Sequence, residues 1–159
     1  MIRYATEADG AEIAEIYNYY VAHTTASFDF DAVDAADMVA KMKSCRPAFL
    51  VEVGNDGRVE GYCYAHLWKS RPAYAHTLET SVYVRPDCRH KGIGVRLMER
   101  LIAECRQDGV GVLIACITDD NEASVALHGK LGFEQVSHFK GVGRKFGRIL
   151  GVVDMELVL

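Results

Sequence analysis

Ser81-Val82-Tyr83-Val84-Arg85-Pro86-Asp87-Cys88-Arg89-His90-Lys91-Gly92-Ile93-Gly94 decides the fold of this 159-residue chain. The stretch opens at the end of a strand read over 76–84, HTLETSVYV. Proline cannot donate to a sheet ladder, so Arg85-Pro86 ends that strand. A helix follows over about 92–107, with Ile93, Leu97, Leu101 and Ile102 on one face and Asp108-Gly109 as its stop. The first amides of a helix lack internal partners and carry its positive dipole end. Glycine lets a ligand approach that backbone closely, and Arg89 and Lys91 add charge. A strand, a basic loop and a glycine-opened helix are expected to cradle a pyrophosphate. Gly-x-Gly occurs three times, at 92/94, 109/111 and 141/143, but only the first pair lies between a strand and a helix with basic neighbours. Leu97 stands where a dinucleotide fingerprint needs its third glycine, and no Walker A sequence occurs.

Outward from this stretch the chain alternates its periodicities. Ile2 to Ala5 reads as a first strand, and Thr6 as an N-cap with Asp9 completing a variant capping box. Ile13, Ile16, Tyr17, Tyr20 and Val21 then mark an amphipathic helix over 7–22. A shorter helix follows over 32–43, with Met38 and Met42 on one face. Phe49 to Val53 and 58–68 are strands about the turn Asn55-Asp56-Gly57. Beyond the central helix come a strongly apolar strand at 110–117 and a helix from Asn121 to Leu131, stopped by Gly132. Two strands near 133–139 and 150–158 close the chain, joined by the basic, Gly-rich segment 140–148. With no internal repeat or linker, the expected architecture is α/β (α+β): one domain over 1–159 around a mixed sheet of about seven strands.

Half the residues are apolar and a quarter charged, an ordinary globular balance. No apolar run approaches membrane-spanning length, and MIRYATEADG lacks the basic-then-apolar layout of a secretory signal. The expected compartment is the cytoplasm, with no membrane partner. Five cysteines without CxxC suggest neither a disulfide framework nor a zinc knuckle, and most are expected to be buried. The six histidines form no HExxH, so no metal is expected. A net charge of −4 argues against nucleic acid. Yet 85–100 carries Arg85, Arg89, Lys91, Arg96 and Arg100 against only Asp87 and Glu99. A cationic patch on an acidic chain points to a compact anionic ligand.

Arg89-x-x-Gly92-x-Gly94 after Val82-Tyr83-Val84 resembles the acetyl-CoA motif of the GNAT acetyltransferase superfamily. Asn121-Glu122-Ala123-Ser124 through Leu127-His128-Gly129-Lys130-Leu131-Gly132-Phe133 resembles that superfamily's next motif. Ile16-Tyr17-Asn18-Tyr19-Tyr20-Val21, Glu79-Thr80-Ser81-Val82-Tyr83-Val84 and Val142-Gly143-Arg144-Lys145-Phe146-Gly147 are similar to the phosphinothricin and methionine sulfoximine N-acetyltransferases. The likeness runs from Ile2 to about Leu157 in one order.

The resemblance implies a three-layer fold, its mostly antiparallel sheet covered by helices on both faces. The strand ending near Val84 would splay from its neighbour, and acetyl-CoA, the co-substrate, would lie in the gap. The pantetheine would pair with Val82 and Val84, flanking Tyr83. The pyrophosphate would sit on amides from His90 to Val95, a span holding Lys91, Gly92, Ile93 and Gly94, with Arg89 beside it. Asn121 and Ser124 would face the coenzyme from the opposite wall. Family members are commonly homodimers.

The acceptor amine is mostly ammonium at neutral pH, so a base must take a proton before attack. Glu79 is the candidate, alone among apolar and hydroxylic neighbours and at a position where the resemblance places a functional glutamate. A backbone N–H of Val82–Val84 would meet the charge developing on the thioester oxygen. Many relatives use a tyrosine to protonate the leaving thiolate. Here the position is His128, a candidate acid or a mere cofactor contact. Direct transfer needs no covalent intermediate, and Cys88 has no adjacent base in sequence to make it a nucleophile. Lys69, Ser70 and Arg71 are candidates to bind a substrate carboxylate, with Trp68 and Tyr74 as an apolar wall and Thr80 and Ser81 beside Glu79. The relatives often have arginine-proline directly after the tryptophan, whereas here Lys69-Ser70 intervenes. Arg144 and Lys145 are further carboxylate candidates, across a dimer interface if one forms. The expected activity is acetyl transfer to the amine of a small amino-acid-like, carboxylate-bearing substrate. The alternatives are another amine (a polyamine, an aminoglycoside or a protein N-terminus) or a non-catalytic acyl-CoA-binding sensor.

Overall fold

In the computed structural model, which describes residues 1–159, the chain forms seven strands and four α-helices. They are β1 (Ile2–Tyr4), α1 (Gly10–His23), α2 (Ala35–Ser44), β2 (Phe49–Val53), β3 (Val59–Leu67), β4 (Thr77–Val84), α3 (Ile93–Gln107), β5 (Val112–Thr118), α4 (Glu122–Lys130), β6 (Glu134–Lys145) and β7 (Arg148–Val158). The strands make one sheet in the order β1-β2-β3-β4-β5-β7-β6. Every neighbouring pair is antiparallel except β4 with β5.

Helices cover both faces, because the strands bury side chains on both. On one face Leu97, Met98, Leu101 and Ile102 of α3 pack on Leu50, Cys63, Ala65, Leu78, Leu113 and Ala115. On the other, Ile13, Ile16, Tyr17 and Val21 of α1 and Met38 of α2 meet Phe49, Val51, Tyr62 and Tyr64. The start of α1 shows how local chemistry sets an element. A 3-10 turn at Glu7–Asp9 precedes it, and the Asp9 carboxylate accepts from the Thr6 amide at 2.7 Å and from Arg3 at 2.7 Å. Asp34 and Asp37 form the same reciprocal cap on α2. That cap moves the start of α2 to Ala35, three residues beyond the boundary expected from sequence.

Two features position the site. First, β4 and β5 pair only over Thr77–Glu79 with Val112–Ile114, whereas β5 pairs with β7 along its whole length. Beyond Glu79 the two strands separate into a V. Second, the segment 140–148 is not a loop. β6 continues to Lys145, β7 starts at Arg148, and only Phe146 and Gly147, both with positive φ, make the turn. A bulge between Phe139 and Gly143 absorbs the extra residues. Glycine-rich composition reads as a connection, but here it serves a bulged hairpin. No helix is long and apolar enough to cross a membrane.

Candidate active site

The V between β4 and β5 opens into a cleft of about 720 Å³. Thr80, Ser81, Val82, Tyr83 and Val84 form one wall and Ala115–Thr118 the other. Arg89, His90, Gly92, Ile93, Gly94 and Val95 close one end, while Asn121, Ser124, Leu127 and His128 line the α4 side. All of these except Ala115–Thr118 and Leu127 are residues that the sequence pointed to.

At the mouth of the V the backbone is shaped for a close ligand. Gly92 is the N-cap of α3 with φ +76°, a conformation that costs an L side chain. Gly94 has no room for a Cβ, which would lie 2.8 Å from Leu127 Cδ1 of α4, so only glycine lets the two helices approach this closely. The first-turn amides of α3 have no partner within the helix, and the residues that carry them line the cleft.

The cationic patch is smaller than its sequence suggests. Arg85 is buried and donates Nε to the Val59 carbonyl at 2.9 Å, with Glu12 and Glu15 of α1 at 3.4 and 3.0 Å. Arg96 is paired with Glu52 and Arg100 with Glu104. These three are structural ties, which leaves Arg89 and Lys91 to meet an anion. Arg89 lies over the rings of Tyr19 and Tyr20, at 5.7 and 5.5 Å.

Several predicted groups are already engaged. The Asn121 side chain caps α4 by accepting from the Ser124 amide at 3.2 Å, so its NH₂ is the group free for a ligand. The Val84 carbonyl accepts from the Tyr20 hydroxyl at 2.6 Å, so a pantetheine must share it and finds Val82 the more open partner. The sequence places Tyr20 on the apolar face of the first helix and gives it no role at the site. As the last aromatic of the α1 stripe, its hydroxyl was the signal of a partner beyond the helix.

His128 is 3 % exposed, with its ring edge-on to Phe133. Its Nδ1–H donates to the Ser124 carbonyl at 2.8 Å, which leaves Nε2 buried without a partner. Burial lowers its pKa, and only in part does the Ser124 bond offset that. At neutral pH the ring is uncharged and Nε2 is an acceptor. That tautomer suits accepting a hydrogen bond from a ligand more than donating a proton to one.

Glu79 stands at the apex of the V, the last β4 residue paired with β5, half-buried. Strand alternation puts it on the face opposite Leu78, with His66 directly across on β3. Lys69, Ser70, Arg71 and Tyr74 line a separate hollow of about 480 Å³. There the Lys69 ammonium sits 4.1 Å from the Trp68 ring centroid and 5.4 Å from that of Tyr74. The hairpin pair divides. Lys145 is buried and donates to the Ser27 carbonyl at 2.6 Å, with its pKa lowered by burial. It anchors the α1–α2 loop and is withdrawn as a substrate residue. Arg144 points the other way and is exposed.

Cysteine placement follows expectation except at one position. Cys63, Cys88 and Cys105 are buried and Cys45 is half-buried, but Cys116 is exposed within the cleft. Burial first, then Asp87, raises the Cys88 pKa, which removes it as a nucleophile. No group of three His, Cys, Asp or Glu side chains is placed to hold a metal ion.

Comparison with known proteins agrees with this geometry. The acetyltransferase (GNAT) family model matches residues 13–133. The L-amino acid N-acyltransferase MnaT of Escherichia coli is 43 % identical over 99 % of this chain and 93 % of its own length. The L-methionine sulfoximine/L-methionine sulfone acetyltransferase of Salmonella typhimurium is 40 % identical over 99 % and 94 %. A phosphinothricin acetyltransferase of Sinorhizobium meliloti, solved in complex with acetyl-CoA, superposes with a TM-score of 0.96 at 33 % identity, covering 100 % of this chain and 88 % of that one. The glycine-opened helix and the splayed strands thus have their counterpart in a named family, and the chain belongs to the GNAT acetyltransferases.

Proposed function

We propose that this chain moves the acetyl group of acetyl-CoA to the amino group of a small, carboxylate-bearing, amino-acid-like acceptor. The observation that carries the reading is the V, open at the Gly92 turn and closed at Glu79. A coenzyme with its diphosphate on amides of His90–Val95 has an extended arm that fits between Val82 and Ala115. The cradle fits the group: it has a glycine-opened helix start on the cleft, two cations that no carboxylate pairs, Arg89 and Lys91, and an unpartnered polar atom at His128. Acetyl-CoA supplies the activated acyl group. Glu79 takes the proton of the acceptor ammonium, and N–H groups of Val82–Val84 face the carbonyl under attack. Positioning carries most of the rate, since both substrates are held at once. Lys69 and Arg71 give the acceptor's carboxylate a cationic hollow, and Arg144 serves the same group from a second copy of the chain. The names of the relatives, methionine sulfoximine, methionine sulfone and phosphinothricin acetyltransferases, favour such acceptors.

A panel of methionine sulfone, methionine sulfoximine, phosphinothricin, spermidine and a peptide amine tests the acceptor. The amino-acid analogues are expected to give the highest kcat/KM, and preference for spermidine would overturn the choice. Glu79→Gln is expected to lower kcat by about 10²–10⁴ with coenzyme affinity unchanged. Unaltered turnover with chemistry rate-limiting rejects the base role.

A further inference from the structure

β4 and β5 run parallel, so their last residues, Val84 and Thr118, stand at the same open end of the V. Each arm is held on its outer side: β4 pairs with β3 as far as Val84 with Gly61, and β5 pairs with β7 as far as Thr118 with Val152. Between the arms a ladder would fix the strands at about 4.8 Å, and here the ladder stops at Glu79 and Ile114. The width of the gap is therefore set by groups outside the sheet.

The last turn of α1 and the residues after it reach both tips. On the β4 side, the Tyr20 hydroxyl donates to the Val84 carbonyl at 2.6 Å, and its ring packs on that of Tyr83 with centroids 5.2 Å apart. On the β5 side, the Thr118 hydroxyl donates to the Thr25 carbonyl at 2.7 Å, and the Thr25 hydroxyl donates to Asp120 at 2.8 Å. Asp120 is itself held by Arg148 at 3.1 Å. The backbone between the two attachments is not slack. The Thr24 amide and hydroxyl both donate to the Tyr20 carbonyl, at 3.2 and 2.9 Å, and that hydroxyl accepts from the Ala26 amide at 3.1 Å. Tyr20, Thr24, Thr25 and Ala26 all line the cleft. Thr118 is buried, so water competes little for its bond.

We infer that residues 20–25 are a cross-tie that holds the two arms of the V at the spacing an extended acyl-CoA arm needs, with Thr118 and Thr25 as its positioning residues. The inference rests on the V as the acetyl-CoA site. A coenzyme entering a V of fixed width meets strands that are already spaced for it, and less freedom is lost on binding. The test reads one arm while changing the other. Thr118→Val removes the hydroxyl at nearly constant shape and leaves the Thr25 carbonyl without that partner. In the ligand-free protein, hydrogen exchange at the amides of 81–84 on β4 is expected to speed up by about 5- to 20-fold, although the substitution lies on β5. The β1–β2 ladder is expected to keep its wild-type exchange, which separates the tie from general loosening. Acetyl-CoA affinity by calorimetry is expected to fall by a similar factor. Thr118→Ser keeps the hydroxyl and is expected to restore both readings. Should Thr118→Val not fold, Thr25→Val, which cuts the bond to Asp120, carries the test with the same directions expected. Faster exchange confined to β5 and residues 24–26 overturns the tie, as does an affinity equal to wild type or a serine variant as impaired as the valine one. A wild-type protein that takes up no acetyl-CoA sinks the reading of the V instead, and the exchange rates still judge the tie.

Discussion

Gly92 holds its φ of +76° where β4's loop turns into α3, and the nearest obstacle to a Cβ there is the Arg96 guanidinium at 3.0 Å. Space is nearly available, and conformation is what is demanded. An L residue in this region costs roughly 1–2 kcal/mol, and it relieves that cost by rotating the very amides that face the cleft. Gly92→Ala is therefore expected to weaken acetyl-CoA binding by about 5- to 30-fold with little loss of Tm, as a calorimetric titration beside a melt would record. Undiminished affinity would place the diphosphate elsewhere. Three of the residues that sequence misjudged share a cause, whereas Arg100 pairs locally with Glu104 four positions on. Arg85, Arg96 and Lys145 were read as free charges, but their partners Glu12, Glu52 and Ser27 lie 73, 44 and 118 positions away. Charge is legible along a chain, but its neutralisation depends on tertiary contacts. Gly92 and Gly94 were legible because a backbone requirement is local.

Elements were legible where one periodicity ran for several turns, as in α3, and where punctuation was strong, as at Pro86. They were not legible where glycine had two uses, as in the β6–β7 hairpin. The entry to α1 was read from Thr6 and Asp9, and the structure adds Arg3, which pairs with Asp9 at 2.7 Å. Arg3 and the Thr6 bonds hold the Asp9 carboxyl down to about 2. A folded pKa below the unfolded value of about 3.9 means stability that is present above pH 4 and is lost as pH falls toward 2. The linkage contributes about 2 kcal/mol at neutral pH. Asp9→Ala is accordingly expected to cost about 1–3 kcal/mol at pH 7. Its deficit against wild type should shrink in urea melts as the pH is lowered from 4 to 2. The consequence reaches the site, since α1 carries Tyr20 to the Val84 carbonyl. A deficit that does not vary with pH would show that the cap holds α1 without the ion pair.

Over the whole molecule, the two ends of the sheet differ. β1 is a three-residue edge, too short to invite pairing, whereas β6 is a twelve-residue edge strand. Val136, Phe139, Val142, Phe146 and Ile149 on that hairpin are each at least half exposed, a run of large apolar groups that marks an interaction surface. A second copy is the occupant we propose, because one such patch on a two-fold axis meets itself and closes the assembly. On that reading Arg144, exposed on the same hairpin opposite Ile149, is the cation a second copy would receive at its acceptor site. Phe146→Asp combined with Ile149→Arg places charge in the patch without touching the cleft. Light scattering at micromolar concentration is expected to give twice the chain mass for wild type and the single mass for the double variant. In that monomer the acceptor KM should rise by about tenfold or more, the loss of one charge-assisted contact, while acetyl-CoA affinity holds. A wild-type protein that elutes at the mass of one chain would reject the assembly, and Arg144 would then lose its claim on the acceptor.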